Sequence, residues 1–396
     1  MSFLKKDFKN KKNLVVLDIG SQFIKALLLE INREEERGTL LAWVKESFAD
    51  DFEKLCANCQ KAIKKLERKT GRKGEELFIG IGGDILRGTS INFCYKREET
   101  RQKIDLTELK YFVQKTQWKA FEKIRKEFSL ETGLSETEAR LVSAHIINIK
   151  VDNSHIVNPL GFQGQNVCLS IFNNYTSLKL LEDLIRLASW LGLGLVGIGS
   201  PSYALFHCLE LDRSSKEDIL IIDVGGKITE VTLIKKGGEV VETRNFHLGG
   251  YLFTKTIADF LDLGIEEAEM VKIKYTKEEV SSEAKKKIEK LFSSNLSSWV
   301  GGVKVVLDEL SKGYKSFPSK IFLCGGGSNL PLIKDVLKKK GNFKISFISS
   351  REIIKIKNKT KFEEIPSLAL AALALESPEA SEFSAILKRA VRLIQG

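Results

Sequence analysis

Apolar residues along this chain fall into two rhythms. Short β-branched runs that end in glycine alternate with longer stretches whose apolar positions recur every three to four residues. The clearest run covers 219–234, Ile-Leu-Ile-Ile-Asp-Val-Gly-Gly-Lys-Ile-Thr-Glu-Val-Thr-Leu-Ile. It predicts a strand ending in Asp223, a glycine turn, and a return strand. The same order stands at 14–29, Leu-Val-Val-Leu-Asp-Ile-Gly-Ser-Gln-Phe-Ile-Lys-Ala-Leu-Leu-Leu, so Asp18 and Asp223 are equivalent, as are Gly20 and Gly225. Two copies half a chain apart predict a duplicated α/β core with a cleft between its halves. A third turn follows a buried-type strand at 320–324: Gly325, Gly326, Gly327, then a polar cap and a helix over 332–340, with Pro331 near its start.

Helical spacing predicts helices over 52–69, 106–128, 177–191 (apolar face Leu178, Leu181, Leu184, Ile185, Ala188), 201–209, 252–261, 263–275 and 365–375. One or two more lie within 280–310. Strands are predicted at 77–83, 144–151, 167–172 and 195–199, and residues 215–218 cap the entry to the central strand.

The glycine turns suit phosphate chemistry. Gly20, Gly225 and Gly226 admit close backbone approach, and successive N–H groups make an anion nest. Ser21 adds a hydroxyl and Lys25 a cation, with Gln22 and Asn329 at the turn edges. Asp18 and Asp223 suit a hydrated Mg²⁺, which uses few protein carboxylates. Either hairpin alone reads better as an ordinary Asp–Gly turn; the pair favours a nucleotide.

These turns, in this order, resemble the actin-like ATPase superfamily, and within it the FtsA/PilM family of bacterial cell division and type IV pilus assembly. The segment 157–164, Val-Asn-Pro-Leu-Gly-Phe-Gln-Gly, resembles part of the domain that family inserts into its first half. Gly249-Gly250 and the helix carrying Glu269 and Lys272 resemble its adenosine side. By that resemblance Glu269 and Lys272 contact ribose or adenine; read alone, they form an exposed i, i+3 ion pair. The resemblance implies ATP and Mg²⁺ as ligands. It also implies a first half over 13–83 and 177–214, interrupted by an insert at 84–176 (subdomain 1C). The second half spans 215–246 and 315–376, with a further subdomain at 247–314. One departure stands out: Lys227 and Ile228 replace the Gly-Thr usual in the second turn, and Lys227 either adds a cation for phosphate or fills the site and weakens binding. No water-activating base is evident, so ATP binding with slow turnover at best is expected.

Composition changes little. The chain has 396 residues, 43% hydrophobic and 29% charged, an ordinary globular balance. Its net charge of +11 suits solubility or attraction to anionic lipid and acidic partners; nucleic acid is not expected, for want of a groove-reading or RNA-binding motif. Six cysteines show no disulfide framework, and Cys56-x-x-Cys59 has no second pair. With no signal peptide or span-length apolar run, a reducing, cytoplasmic protein is expected.

The tail carries a short linker at 377–382 and then an amphipathic helix at 383–395. Phe383, Ile386, Leu387, Leu393 and Ile394 share one face, and Lys388, Arg389 and Arg392 stand opposite. A terminal helix docked on its own domain has this pattern, and so does an interfacial membrane helix; the cations favour the second. The expected function is therefore an FtsA-like, polymerising tether between membrane and a tubulin-like division protein. The alternative is a PilM-like scaffold that binds a pilus inner-membrane protein. A small-molecule kinase shares the hairpins, but no substrate base is identifiable.

Overall fold

The computed structural model describes residues 11–83, 85–209, 217–238, 241–311, 318–340, 343–376, 386–387 and 389–391. The chain opens with strands β1 (Lys11–Ile19), β2 (Phe23–Asn32) and β3 (Arg37–Ser47), then helix α1 (Phe52–Thr70) and strand β4 (Glu76–Ile81). Helix α1 begins where the Asp51 side chain accepts from the Lys54 N–H, and ends at Gly71, whose φ of 68° is left-handed. These are the favoured start and stop chemistries. Next come β5 (Arg87–Lys96), α2 (Leu106–Thr132), β6 (Ala139–Val151), the short β7 (Ser154–His155) and β8 (Asn166–Ser177). They are followed by α3 (Leu178–Leu191), β9 (Gly194–Gly199) and α4 (Pro201–Cys208). The second half holds β10 (Ile219–Val224), β11 (Thr229–Ile234), β12 (Val241–Phe246), α5 (Gly250–Leu261), α6 (Ile265–Thr276) and α7 (Ser282–Ser311). It closes with β13 (Lys320–Cys324), α8 (Pro331–Lys340), β14 (Lys344–Phe347), β15 (Ile356–Asn358) and α9 (Ile365–Leu373).

The duplication is real in the topology. One sheet runs β15-β3-β2-β1-β4-β9, and the other contains β12-β11-β10-β13-β14 in the corresponding order. In each half an antiparallel hairpin lies beside a parallel strand: β1 pairs β4, and β10 pairs β13. The hairpin strands are apolar on both faces because each face has a core. Leu14 and Val16 join Ile219 and Ile221 in a central core filled by α4 and α9, while Val15 and Leu17 pack under α1. Leu220 and Ile222 face α5, α7 and α8. This is the mixed α/β, two-sheet duplicated architecture expected from the hairpins.

The strands between β4 and β9 run β5-β8-β6-β7 and extend the second half's sheet to nine strands through a β12–β5 contact. There Glu242 lies opposite Thr89, and the Val241 N–H donates to Ser90 Oγ at 2.8 Å. Within it, the segment 157–164 is pinned by buried Arg97, which grips Glu108 through two nitrogens and donates to the Gly164 carbonyl.

Four expectations are corrected. Cys94 and Cys168 form a disulfide; they face each other across β5 and β8, a pairing that a sequence separation of 74 hides in the sequence. The cysteine argument for a reducing compartment therefore loses its basis. On α3 the buried face holds Leu184, Leu187 and Ala188, with Ile185 exposed. The Glu269–Lys272 pair is largely buried, not exposed, with side chains 18% and 10% accessible at 2.8 Å. Finally, Ile386, Leu387 and Ala390 are buried against Ile104, Leu109, Phe112 and Val113 at α2 and against β6 and β8, while Arg389 is exposed. Ile386 and Leu387 are thus not presented to a membrane in this structure; α2 and its sheet already cover their apolar side. Phe383, Lys388, Arg392, Leu393 and Ile394 lie outside the described residues, as do the linker and the cap at 215–216. No helix among the described residues is long and apolar enough to cross a membrane.

Candidate functional site

The two hairpin turns share one hydrogen bond. The Gly20 N–H donates to the Phe23 carbonyl at 3.0 Å, and the Gly225 N–H donates to the Ile228 carbonyl at 3.0 Å. The turns face each other at the mouth of a cleft. The Lys227 N–H donates to Ser21 Oγ at 3.0 Å, and a Cβ on Gly226 would lie 2.5 Å from that of Gln22. The third turn closes behind. Gly325 has φ 82°, and a Cβ there would lie 2.0 Å from Asp223 Oδ1, so backbone alone fits. The carbonyls of Gly225 and Gly226 accept from the N–H groups of Gly250 and Tyr251, anchoring the start of α5 to the second turn.

The result is a cleft of about 540 Å³ lined from both halves. Of the residues expected there, Asp18, Gly20, Ser21, Gln22, Lys25, Asp223, Gly225 and Gly226 line it, as do Glu269, Lys272, Gly325, Gly326, Gly327 and Asn329. Two do not. Gly249 packs behind the second turn, where a Cβ would meet the Gly226 carbonyl at 2.4 Å. Lys227 is exposed, with its ammonium 6.0 Å from the Tyr251 ring centroid. Cleft residues that motif reading missed include Lys45, Phe48, Glu230 and Glu364. Glu230 was visible: it occupies in the second hairpin the place of Lys25 in the first. Lys45 and Glu364 stand in no motif, and only the folded chain brings them in.

The electrostatics of the two aspartates differ. Lys25 lies directly across from Asp18 in the β1–β2 register and sits 3.3 Å from its Oδ2, and 3.3 Å from Glu364. Ser367 Oγ donates to the same Asp18 oxygen. Burial pulls the Lys25 ammonium down, but Asp18, Glu364 and Asp223 outweigh it and its pKa rises well above the ordinary lysine range. Asp223 has Glu230 across from it instead. Burial and then Glu230 push its carboxyl from 3.8 to about 7, and its buried Oδ1 has no hydrogen-bond partner among the described residues. Burial lowers Lys272 despite Glu269; its ammonium donates to the Gly250 carbonyl at 3.0 Å and to Thr254 at 2.7 Å.

As a metal site the arrangement has defined limits. The described residues contain no cluster of three or more metal-ligating side chains. A cation caged by protein groups alone does not fit. A hydrated Mg²⁺ leaning on one carboxylate and a ligand's phosphates does, because the orphaned Asp223 Oδ1 needs a cationic or donor partner.

The chain is similar to known proteins in part of its sequence and in its fold. The family described as type IV pilus assembly protein PilM matches over residues 203–377. The solved PilM–PilN type IV pilus biogenesis complex has a TM-score of 0.65 to this chain at 16% identity, covering 92% of this chain and 99% of that one. Ethanolamine utilization protein EutJ from Carboxydothermus hydrogenoformans has a TM-score of 0.49 at 13% identity, covering 90% and 88%. No curated protein matches.

Proposed function

We propose that this chain is an actin-like ATP-binding scaffold of the type IV pilus kind, within the FtsA/PilM family. It engages a pilus inner-membrane protein and works at the cytoplasmic face of the membrane. The observation that carries the nucleotide part is the convergence of three glycine turns, 305 residues apart from first to last (Gly20 to Gly325), on one cleft that holds Asp18 and Asp223. The turns supply N–H groups for phosphates, Lys25 and Lys45 supply cations, and the Glu269–Lys272 corner takes the nucleoside. Asp223 would hold a bound Mg²⁺, which would supply charge neutralisation to the phosphates. Spanning both halves, the ligand biases cleft closure, and closure is the signal a partner reads. Self-association is part of the same proposal.

The pilus-type reading takes precedence over the division-type tether for two reasons. The family match and the solved-structure match above are both to PilM. The division-type reading also needs a free amphipathic tail, whereas Ile386 and Leu387 are packed inside the chain.

Two experiments test this reading. Calorimetric titration with ATP–Mg²⁺ is expected to show one site per chain; absence of binding defeats the nucleotide part. Co-sedimentation with anionic vesicles compares the full chain with one ending at Ser381, and neither is expected to pellet. Pelleting of the full chain alone restores the membrane tether.

A further inference from the structure

Glu364 sits where α9 begins, yet its carboxylate caps nothing on its own helix. It reaches into the cleft, 3.3 Å from Lys25 Nζ. Both its carboxylate oxygens lie 3.9 Å from where a Cβ on Gly326 would stand, against the bare backbone of the third glycine turn. Lys45, exposed but with its ammonium 3.6 Å over the Phe23 ring centroid, feels Glu364 as its leading attractive charge. Two lysines and a stripped glycine backbone are the surroundings of a bound phosphate. A carboxylate already occupies them.

We infer that Glu364 is a built-in counter-anion of the phosphate cradle, which a polyphosphate must displace from Lys25 before it binds, and which therefore sets the affinity of the cleft.

The inference rests on the nucleotide reading above. Of the two acids on Lys25, only Glu364 is placed to give way. The Asp18 side chain is 6% accessible and is held by Ser367 as well, whereas that of Glu364 is 29% accessible at a helix start. The lining also carries more carboxylates than ammonium groups, with Glu363 and Glu364 adjacent. A ligand that brings three phosphates therefore meets repulsion unless a lysine is freed and an acid turned away. Because the competition is for charge, it discriminates by phosphate number and leaves the nucleoside indifferent. Glu364 stands at the head of α9, which fills the central core between the two sheets.

The test is calorimetric titration of the wild-type chain and Glu364→Gln with ATP–Mg²⁺, ADP–Mg²⁺ and adenosine. Removing the counter-anion is expected to tighten ATP about tenfold, ADP less, and adenosine not at all. Glu364→Asp keeps the charge one methylene further back and is expected to fall between. Matching melting profiles of the ligand-free proteins establish that the variants are folded. If either variant fails to fold, inorganic tripolyphosphate titrated into the wild type across ionic strength replaces it: binding that strengthens as salt rises from low values supports displacement, and binding that only weakens overturns it. Wild-type ATP binding with Glu364→Gln equal or weaker overturns the inference and leaves the nucleotide reading standing. No binding by either protein overturns both.

Discussion

The two hairpins share an Asp-x-Gly turn closed by the same glycine N–H to carbonyl bond, but have opposite electrostatics. Across from Asp18 stands Lys25; across from Asp223 stands Glu230. The first aspartate is paired and held by a hydroxyl. The second is half-buried, with one buried oxygen left without a hydrogen-bond partner among the described residues, and is pushed to about 7. Duplication of a fold therefore does not duplicate a site. The first hairpin is electrostatically complete without ligand, and the second awaits a cation. On the proposed nucleotide reading this asymmetry divides the roles: Asp18 organises Lys25, and Asp223 would take the metal.

The strongest way to break the comparison is Lys25→Met. It leaves Asp18 and Glu364 facing each other beside the Ser367 hydroxyl, with Asp18 4% exposed. Removing one partner of a buried pair typically costs about 3–5 kcal/mol; the measurement is urea denaturation at pH 7. A loss below about 1 kcal/mol refutes the claim that the first hairpin depends on its internal pair. Next is Gly325→Ala. Its φ of 82° and the 2.0 Å approach to Asp223 Oδ1 combine left-handed strain with overlap, for a loss of roughly 2–3 kcal/mol. Part of that loss is expected to return in the double variant with Asp223→Ala, which deletes the overlapping oxygen.

Glu230→Gln sharpens the comparison through pH. Asp223 has a folded pKa raised from 3.8 to about 7, so its charged form is the disfavoured one in the fold. Stability from this group is complete below about 4 and is lost as pH climbs through the interval to about 7. Removing the Glu230 charge lowers the folded pKa and shrinks that loss, while the amide oxygen can still accept the Gly83 N–H as the carboxylate does at 3.1 Å. The variant is expected to melt higher than wild type at pH 8, by the equivalent of about 1–2 kcal/mol, and alike at pH 4. A wild type equally stable at pH 5 and pH 8 sinks the assignment of Asp223 as the strained partner.

What was legible in the chain divides along similar lines. Strand, turn and helix followed from local rhythm, so the hairpins, the Gly325–Gly327 turn and most helices stand where the apolar spacing puts them. Contacts set by distance did not. The register that joins Cys94 to Cys168, and the edge pairing that fuses the insert's sheet to the second half, have no local signature. Glu364 and Lys45 belong to no motif. The tail misled for a different reason. An apolar helical face buries equally well against lipid or against Phe112 and Val113, so amphipathicity alone could not choose between them. Lys227, read as a cation at the phosphate turn, occupies the right turn but is directed outward.

The smallest effects test that last point, at the contact between the two turns. Ser21 and Gly226 are equivalent positions, and each faces the other hairpin. Ser21 contributes a hydroxyl to the Lys227 N–H, while Gly226 contributes only backbone, because Gln22 leaves no room for a Cβ. Ser21→Ala removes one acceptor at a partly exposed site and is expected to lower stability by about 1 kcal/mol. Lys227→Ala keeps the N–H that Ser21 uses and deletes an exposed chain, so it is expected to stay within about 0.5 kcal/mol. ATP affinity separates the two further: Ser21→Ala weakens it, because the hydroxyl stands in the cradle, and Lys227→Ala leaves it unchanged. Should Lys227→Ala weaken ATP as much as Ser21→Ala does, the ammonium turns inward on binding. The second hairpin then possesses a phosphate cation after all, and the asymmetry between the copies holds for the ligand-free state alone.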